Sequence, residues 1–230
     1  MTAAGFWRRY AAWSLDAAPL SILSVLLCWP WAAPAARALA RDYPAMLDAA
    51  GRSLGQALAD GTPLAALAAQ WLADPVLRAA IDAVSHALWA LLWPLLLAFA
   101  LLGAGYHALL EAGPRQATPG QRLLGLRVTD AAGARIDHAR ALLRHVAGAL
   151  SWLTLNIGHA LVLLRPDRRA LHDLVSGTAV VQAADPRTKL PPLARAWLGL
   201  QLLALWWAVV VWFGATNGAL ERGLNAAFGL

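Results

Sequence analysis

Residues 5–33, GFWRRYAAWSLDAAPLSILSVLLCWPWAA, decide how the rest of the chain is read. Between Trp13 and Trp31 the only ionisable side chains are Asp16 and Cys28. At 1.5 Å per residue that run covers about 27 Å, close to the hydrocarbon thickness of a bilayer, so it predicts a membrane-spanning helix. A carboxyl group inside such a span is costly and needs a partner or a use. Arg9 precedes Asp16 by seven residues. Seven steps of about 100° bring the two within about 20° of one helix face. Three roles for Asp16 follow: an ion pair or hydrogen-bond anchor that fixes helix packing, a direct functional group, or a carboxylate wetted by the interface. Trp7 and Trp13 flank the start of the run and Trp29 and Trp31 its end, where aromatic residues mark the two interfaces.

The whole chain shares this character. Of 230 residues, 60% are hydrophobic and 14% charged, with a mean hydropathy of +0.53; soluble domains carry about 25% charged residues. Several long apolar runs argue for a polytopic membrane protein, mostly helical, of one domain or two small units. Trp29-Pro30-Trp31 is a poor small-residue cleavage site, so no cleaved leader is expected. The single cysteine, Cys28, excludes an intrachain disulfide and argues against a cysteine-based zinc site.

Four regions follow along the chain. Residues 1–33 hold the amino-terminal flank and the first span. Residues 34–82 carry five aspartates and four arginines and are punctuated by Pro34, Pro44, Pro63 and Pro75. They predict short amphipathic helices on or near a membrane surface, with Thr62-Pro63 and Asp74-Pro75 as helix starts. Residues 83–183 begin with a second span, from about Ala83 to Leu110, with Pro94 in its middle and Gly103 and Gly105 offering close helix approach. Then Pro119-Gly120 signals a turn, Gly125–Thr129 has strand composition, and Ala132-Gly133 turns the chain toward Arg135-Ile136, predicting a small cytoplasmic hairpin. Asp137 caps a new helix, and the apolar run Ala141–Leu164 is interrupted by Asn156, Gly158 and His159. Thr178–Val181 is another strand-like run. Residues 184–230 are a linker, a last span at Trp197–Phe213, and a weakly amphipathic tail.

Three blocks together resemble the RDD family of bacterial membrane proteins. The first is Trp7-Arg8-Arg9 with Ala12 and Asp16. The second is Thr118-Pro119-Gly120 with Arg122, Leu124-Gly125-Leu126 and Val128. The third is Arg168-Arg169, Leu171-His172-Asp173 and Gly177-Thr178 with Val180-Val181. The resemblance covers about residues 5–33 and 85–183, and each block alone would be weak. The family takes its name from an arginine and two aspartates, which correspond by position to Arg9, Asp16 and Asp173. It commonly carries lysine after the Pro-Gly, where this chain has Gln121. The insert 34–82 and the final span are additions to the shared core. The resemblance implies a fold and a membrane location; a cation/proton exchange role has been suggested for some relatives, and others look like partners in membrane assemblies.

Charge orients the chain. Short loops rich in Lys and Arg stay cytoplasmic, so Arg8 and Arg9 place the amino terminus on the cytoplasmic side of the inner membrane. Segment 34–82, net −1, lies outside; segment 111–144, net +3, lies inside. Segment 165–195 is again net +3. If 141–164 were a full span, this basic segment would be outside. If 141–164 is a re-entrant hairpin turning near Asn156–Gly158, it stays inside. The second reading is preferred, because it keeps fourteen of nineteen basic residues in the cytoplasm. The expected architecture is thus three full transmembrane helices plus a re-entrant or third-span segment.

No residue pattern points to catalysis. The histidines show neither HxxxH nor HExxH spacing, no carboxylate pair is set for hydrolysis, and no metal or cofactor is expected. Despite a pI near 10.6, the basic segments lack interleaved aromatic residues. Anionic lipid headgroups are therefore the expected partners, with a homo-oligomer or a membrane protein partner, and no nucleic acid. Two functional classes remain. One is cation or proton exchange using Arg9, Asp16 and Asp173, with Asn156 and His172 as secondary polar groups. The other is a non-catalytic scaffold or partner subunit, in which the same charges fix helix register.

Overall fold

Proline does not end the first helix. In the computed structural model, which describes residues 2–153, 156–183 and 188–229, α1 runs from Phe6–Ala59 as one helix. It passes through Pro19, Pro30, Pro34 and Pro44. The expectation that Pro34 and Pro44 would divide the following segment into short helices is therefore corrected. Each interior proline forfeits one backbone bond, and the helix keeps the bonds on either side of it. Short helices appear only further on, with α2 at Leu64–Ala73. Pro63 occupies the cap position of α2 and makes no side-chain cap, one residue away from the expected Thr62 cap. Asp74 does cap α3, Pro75–Glu111: its Oδ1 accepts from the amides of Val76 (2.8 Å) and Leu77 (3.2 Å).

The remaining elements are α4, Pro119–Leu123; β2, Leu126–Asp130; α5, His138–Leu153; α6, Ile157–Leu164; α7, Leu171–Ser176; β3, Thr178–Gln182; and α8, Pro192–Phe228. A two-residue strand, β1, Thr2–Ala3, precedes α1. Among the described residues three helices, α1, α3 and α8, are long and apolar enough to cross a membrane.

The chain divides into two compact units, one of residues 1–26 and 97–200, the other of residues 27–96 and 201–230. The first contains the sheet. Its strands are antiparallel in the order β1-β3-β2, with Arg127 opposite Val181 and Asp130 opposite Thr178 on one side of β3, and Ala3 opposite Val181 on the other. The expected return strand at Arg135-Ile136 does not form. Asp130 Oδ1 instead accepts from the amides of Ala132 (2.9 Å) and Ala134 (2.8 Å), closing the turn, and Ile136 leaves the turn for the core. The edge strand β2 turns the Val128 amide away from β3 to Gln116 O, 2.8 Å. Leu126, Val128 and Val180 pack with Ala11 and Ala12 of α1. Asp137 caps α5 through the Arg140 amide, 2.7 Å. The run 141–164 is not one helix: Asn156 takes a left-handed conformation, φ 65°, at the start of α6.

The second unit is held by close approach. Gly51 and Gly55 of α1 face Gly223 and Ala227 of α8: a Cβ on Gly51 would meet the Leu220 carbonyl, and one on Gly55 would meet the Ala227 methyl. This is a small-residue seam at four-residue spacing on both helices. It lies at Gly51 and Gly55; of the expected pair Gly103 and Gly105, Gly103 alone permits a close approach. In the first unit Gly103 sits against the His145 ring, and Gly105 has nothing near it. Tyr43 adds a hydroxyl contact to Thr216 (3.1 Å) and accepts from the Trp212 indole (3.1 Å).

Candidate functional site: a buried network of charged side chains

The first unit buries a row of charged side chains. Arg9, in the first turn of α1, reaches Asp173 Oδ2 of α7 at 2.6 Å through Nη1. Its Nη2 donates to Arg168 O at 2.7 Å and its Nε to Ala4 O at 3.2 Å. Arg168 presents that carbonyl from a left-handed conformation, φ 50°, uncommon for a residue with a Cβ. Asp173 is fully buried and also accepts from Arg144 Nη1 and, at 2.9 Å, from the Ala170 amide. Burial alone would raise this carboxyl, but the Arg144 and Arg9 guanidiniums hold it well below the usual carboxylate range. Gly177, at φ 64°, ends α7 and returns its amide to the Asp173 and Leu174 carbonyls, so the aspartate lies in a closed turn.

Arg144 carries the network onward. Its Nε donates to Glu111 Oε2 at 3.1 Å, and its Nη1 reaches Thr178 Oγ1 at 3.4 Å. Glu111 Oε1 accepts from Gln121 Nε2 at 2.7 Å and contacts His107 Nδ1 at 3.2 Å. Gln121 and Thr118 form a capping box at the start of α4: the Thr118 amide donates to Gln121 Oε1 (2.9 Å), and the Gln121 amide donates to Thr118 Oγ1 (3.3 Å). The Pro119-Gly120 pair therefore opens a helix rather than a simple turn. A lysine at 121 would keep a donor for Glu111 but would have no oxygen to accept the Thr118 amide.

Asp16 ends the row. It is 2% exposed. The Thr118 hydroxyl donates to Oδ2 (2.5 Å), and the Gly120 amide (2.8 Å) and Tyr106 hydroxyl (2.7 Å) donate to Oδ1. All three donors are neutral. A Cβ on Gly120 would collide with the Ala12 carbonyl and the Asp16 carboxylate, so only glycine brings α4 this close to α1. Arg9 and Asp16 share a helix face but make no pair. Of the three residues singled out by position, the fold joins Arg9 to Asp173 directly, and Asp16 only through Thr118, Gln121, Glu111 and Arg144.

Four histidines flank the row. His107 and His145 stack with ring centroids 5.2 Å apart, and His159 and His172 lie 5.1 Å apart. His172 Nε2 stands 3.6 Å from Asp173 Oδ1, while its buried Nδ1 has no hydrogen-bond partner. Burial, with Arg144 nearby, pushes this imidazole down to about 3. Asn156 is exposed and outside the network, as is the side chain of Arg122. Gly125, at φ 67°, precedes β2, and Thr178 joins the network through its hydroxyl. Arg144 and Glu111, which complete the row, were not singled out from sequence. The available signal was the position of Arg144 among apolar residues near the start of the run 141–164.

Three candidate spans, a small sheet and a buried charged row define a polytopic membrane protein with a polar core. The chain belongs to the RDD family, whose pattern matches residues 3–177 and whose members are membrane proteins. It is similar to "Uncharacterized protein YxaI" of Bacillus subtilis (strain 168), 31% identical over 88 residues. The aligned segment is 38% of this chain and 58% of that protein, so the chain spans little more than half of the relative's length. No solved structure matches it.

Proposed function

We propose that this protein is a small cation/proton exchange protein of the bacterial inner membrane, in which Asp16 takes up the exchanging ion. The observation that carries this reading is the contrast between the buried carboxylates. Asp173 and Glu111 are tied to arginine. Asp16 is equally buried, yet its hydrogen bonds come from neutral groups only, so a proton or a cation would neutralise an uncompensated charge. Arg9, Asp173, Arg144 and Glu111 form the fixed frame, and His172 extends it. The protein acts without a catalytic site or cofactor, among anionic lipid headgroups, and a homo-oligomer supplies the walls of the ion path. Arg8 and Arg9, with the basic segments 111–144 and 165–195, support a cytoplasmic amino terminus.

A second reading, a scaffold or partner subunit, is favoured by a different observation. Every oxygen of Asp16, Glu111 and Asp173 already accepts a hydrogen bond, so the row also works as a complete latch. Reconstitution into liposomes with a trapped pH-sensitive dye separates the two. Exchange predicts a dye signal on Na⁺, K⁺ or Li⁺ pulses, lost in Asp16→Asn, which folds and keeps its thermal midpoint. A wild-type protein inert to all three pulses overturns the exchange reading. A lowered midpoint in Asp16→Asn then marks the latch.

A further inference from the structure

Helix α5 is amphipathic in the opposite sense to a helix in water. Its inward stripe is Ala141, Arg144, Ala147 and Ser151, with His145 half-buried beside it. Its outward stripe is Leu142, Leu143 and Val146, exposed by 43%, 46% and 53%. A helix facing water turns its charged residues out and its apolar residues in. Polar groups turned inward and aliphatic groups outward suit a helix bathed in lipid. Helix α6 likewise turns aliphatic groups outward at Ile157, Leu163 and Leu164, with Gly158 and Val162 buried. At eight residues, about 12 Å long, α6 is well short of the roughly 20 residues that a crossing needs.

The sheet constrains the route. Strand β2 precedes α5 and β3 follows α7, yet they pair over five residues each, from Leu126↔Gln182 to Asp130↔Thr178. Two strands of one hydrogen-bonded ladder lie on one face of a membrane. The chain that leaves β2 must therefore return to the face it left. Arg144, in the second turn of α5, and Asp173, in α7, bond to each other and tie the outgoing and returning parts of the excursion together.

We propose that α5 and α6 form a hairpin that enters one leaflet and returns, with the acyl chains of that leaflet against Leu142, Leu143, Val146, Ile157, Leu163 and Leu164. Arg140 and Arg165, exposed at the two ends of the excursion, stand where headgroup phosphates begin. The exposed faces of the candidate span α3, including Leu97 and Leu101, present the same aliphatic surface and need the same solvent. The hairpin keeps β1, β2 and β3 on one face of the membrane. This inference does not depend on the exchange reading.

The test uses the full chain with Cys28→Ser, in vesicles of phosphatidylcholine and phosphatidylglycerol. Nitroxides are attached after Leu142→Cys, Val146→Cys, Leu163→Cys or, as the aqueous reference, Ala132→Cys. All four positions are exposed, so the fold should tolerate the labels. Collision with oxygen should exceed collision with a water-soluble nickel chelate at 142, 146 and 163, and the reverse should hold at 132. In right-side-out membrane vesicles, Ala132→Cys and Thr188→Cys should then respond alike to an impermeant maleimide, both reacting or both protected. Nickel-dominated collisions at 142 and 146 would overturn the proposal. So would spin–spin broadening that grows with the protein-to-lipid ratio, which would put a second copy on the stripe. Opposite labelling of 132 and 188 would restore a full crossing.

Discussion

The two units of this protein hold helices together by different means. In the first, α1, α3, α4, α5 and α7 are joined by directional bonds between charged and polar side chains, from Arg9 to Asp16. In the second, α1 and α8 meet through glycine and alanine, and a Cβ on Gly51 or Gly223 would strike backbone. The first unit relies mainly on buried bonds that ionise, and the second mainly on close contact, with a partly exposed Arg222–Asp48 pair at 3.7 Å beside the seam. Stability should accordingly respond to charge and pH in one and to volume in the other.

The largest effect that would sharpen this contrast is expected at Arg144. Arg144→Gln leaves Asp173 and Glu111 buried without the cation they share, which should cost about 3–5 kcal/mol. Thermal unfolding of the detergent-solubilised protein reads the loss; a fall under about 1 kcal/mol would mean the row is wet and the contrast false. Gly51→Ala comes next. Its new methyl meets the Leu220 carbonyl, so the seam must open, at about 1–3 kcal/mol. The same measurement, made at pH 7.5 and pH 5, should give this variant an equal deficit at both. An unequal deficit would bring titration into the second unit.

An effect of similar size is the pH dependence to which His172 contributes. In the unfolded chain this imidazole binds a proton below about 6.5, whereas in the fold it stays neutral down to about 3. Between those values the unfolded state holds more protons, so stability is complete above the upper limit and falls as pH falls. The expected loss at pH 5 is about 2 kcal/mol. His172→Gln should flatten the slope in that window. Asp173 works lower: its depressed carboxyl contributes stability above the unfolded value, lost as pH falls through the folded one. A wild-type slope that persists in His172→Gln would assign it to another group.

The sequence carried the membrane class, the candidate spans and the two strand-like runs at 125–129 and 178–181. Apolar runs and strand composition are local signals, and they survive whatever the rest of the chain does. The partner of Asp16 was not legible from the helix face. Seven residues of helix separate Arg9 and Asp16 by about 10 Å along the axis, so a common face is not a contact. The real partners come from Tyr106 of α3 and from the start of α4, where the Thr-x-x-Gln capping signature at Thr118 and Gln121 is masked by the turn signal of Pro119-Gly120. Glu111 and Arg144 stand 33 residues apart and meet only once α3 and α5 are packed. Strand β1 is two residues long and has no pattern of its own; it exists because β3 offers it an edge.

The span between Arg9 and Asp173, 164 residues, also sets an order in time. At synthesis rates of about 5–20 residues per second, roughly 10–30 s pass between the emergence of the arginine and that of its aspartate. Asp16 waits too, for Tyr106, Thr118 and Gly120. The first helix thus enters the bilayer with a charge at its end and another inside it, and neither is matched. The sheet is completed only when β3 arrives between two strands made long before it. Biogenesis of this fold is therefore a problem of keeping an early, half-satisfied helix in place until the chain that completes it has been made.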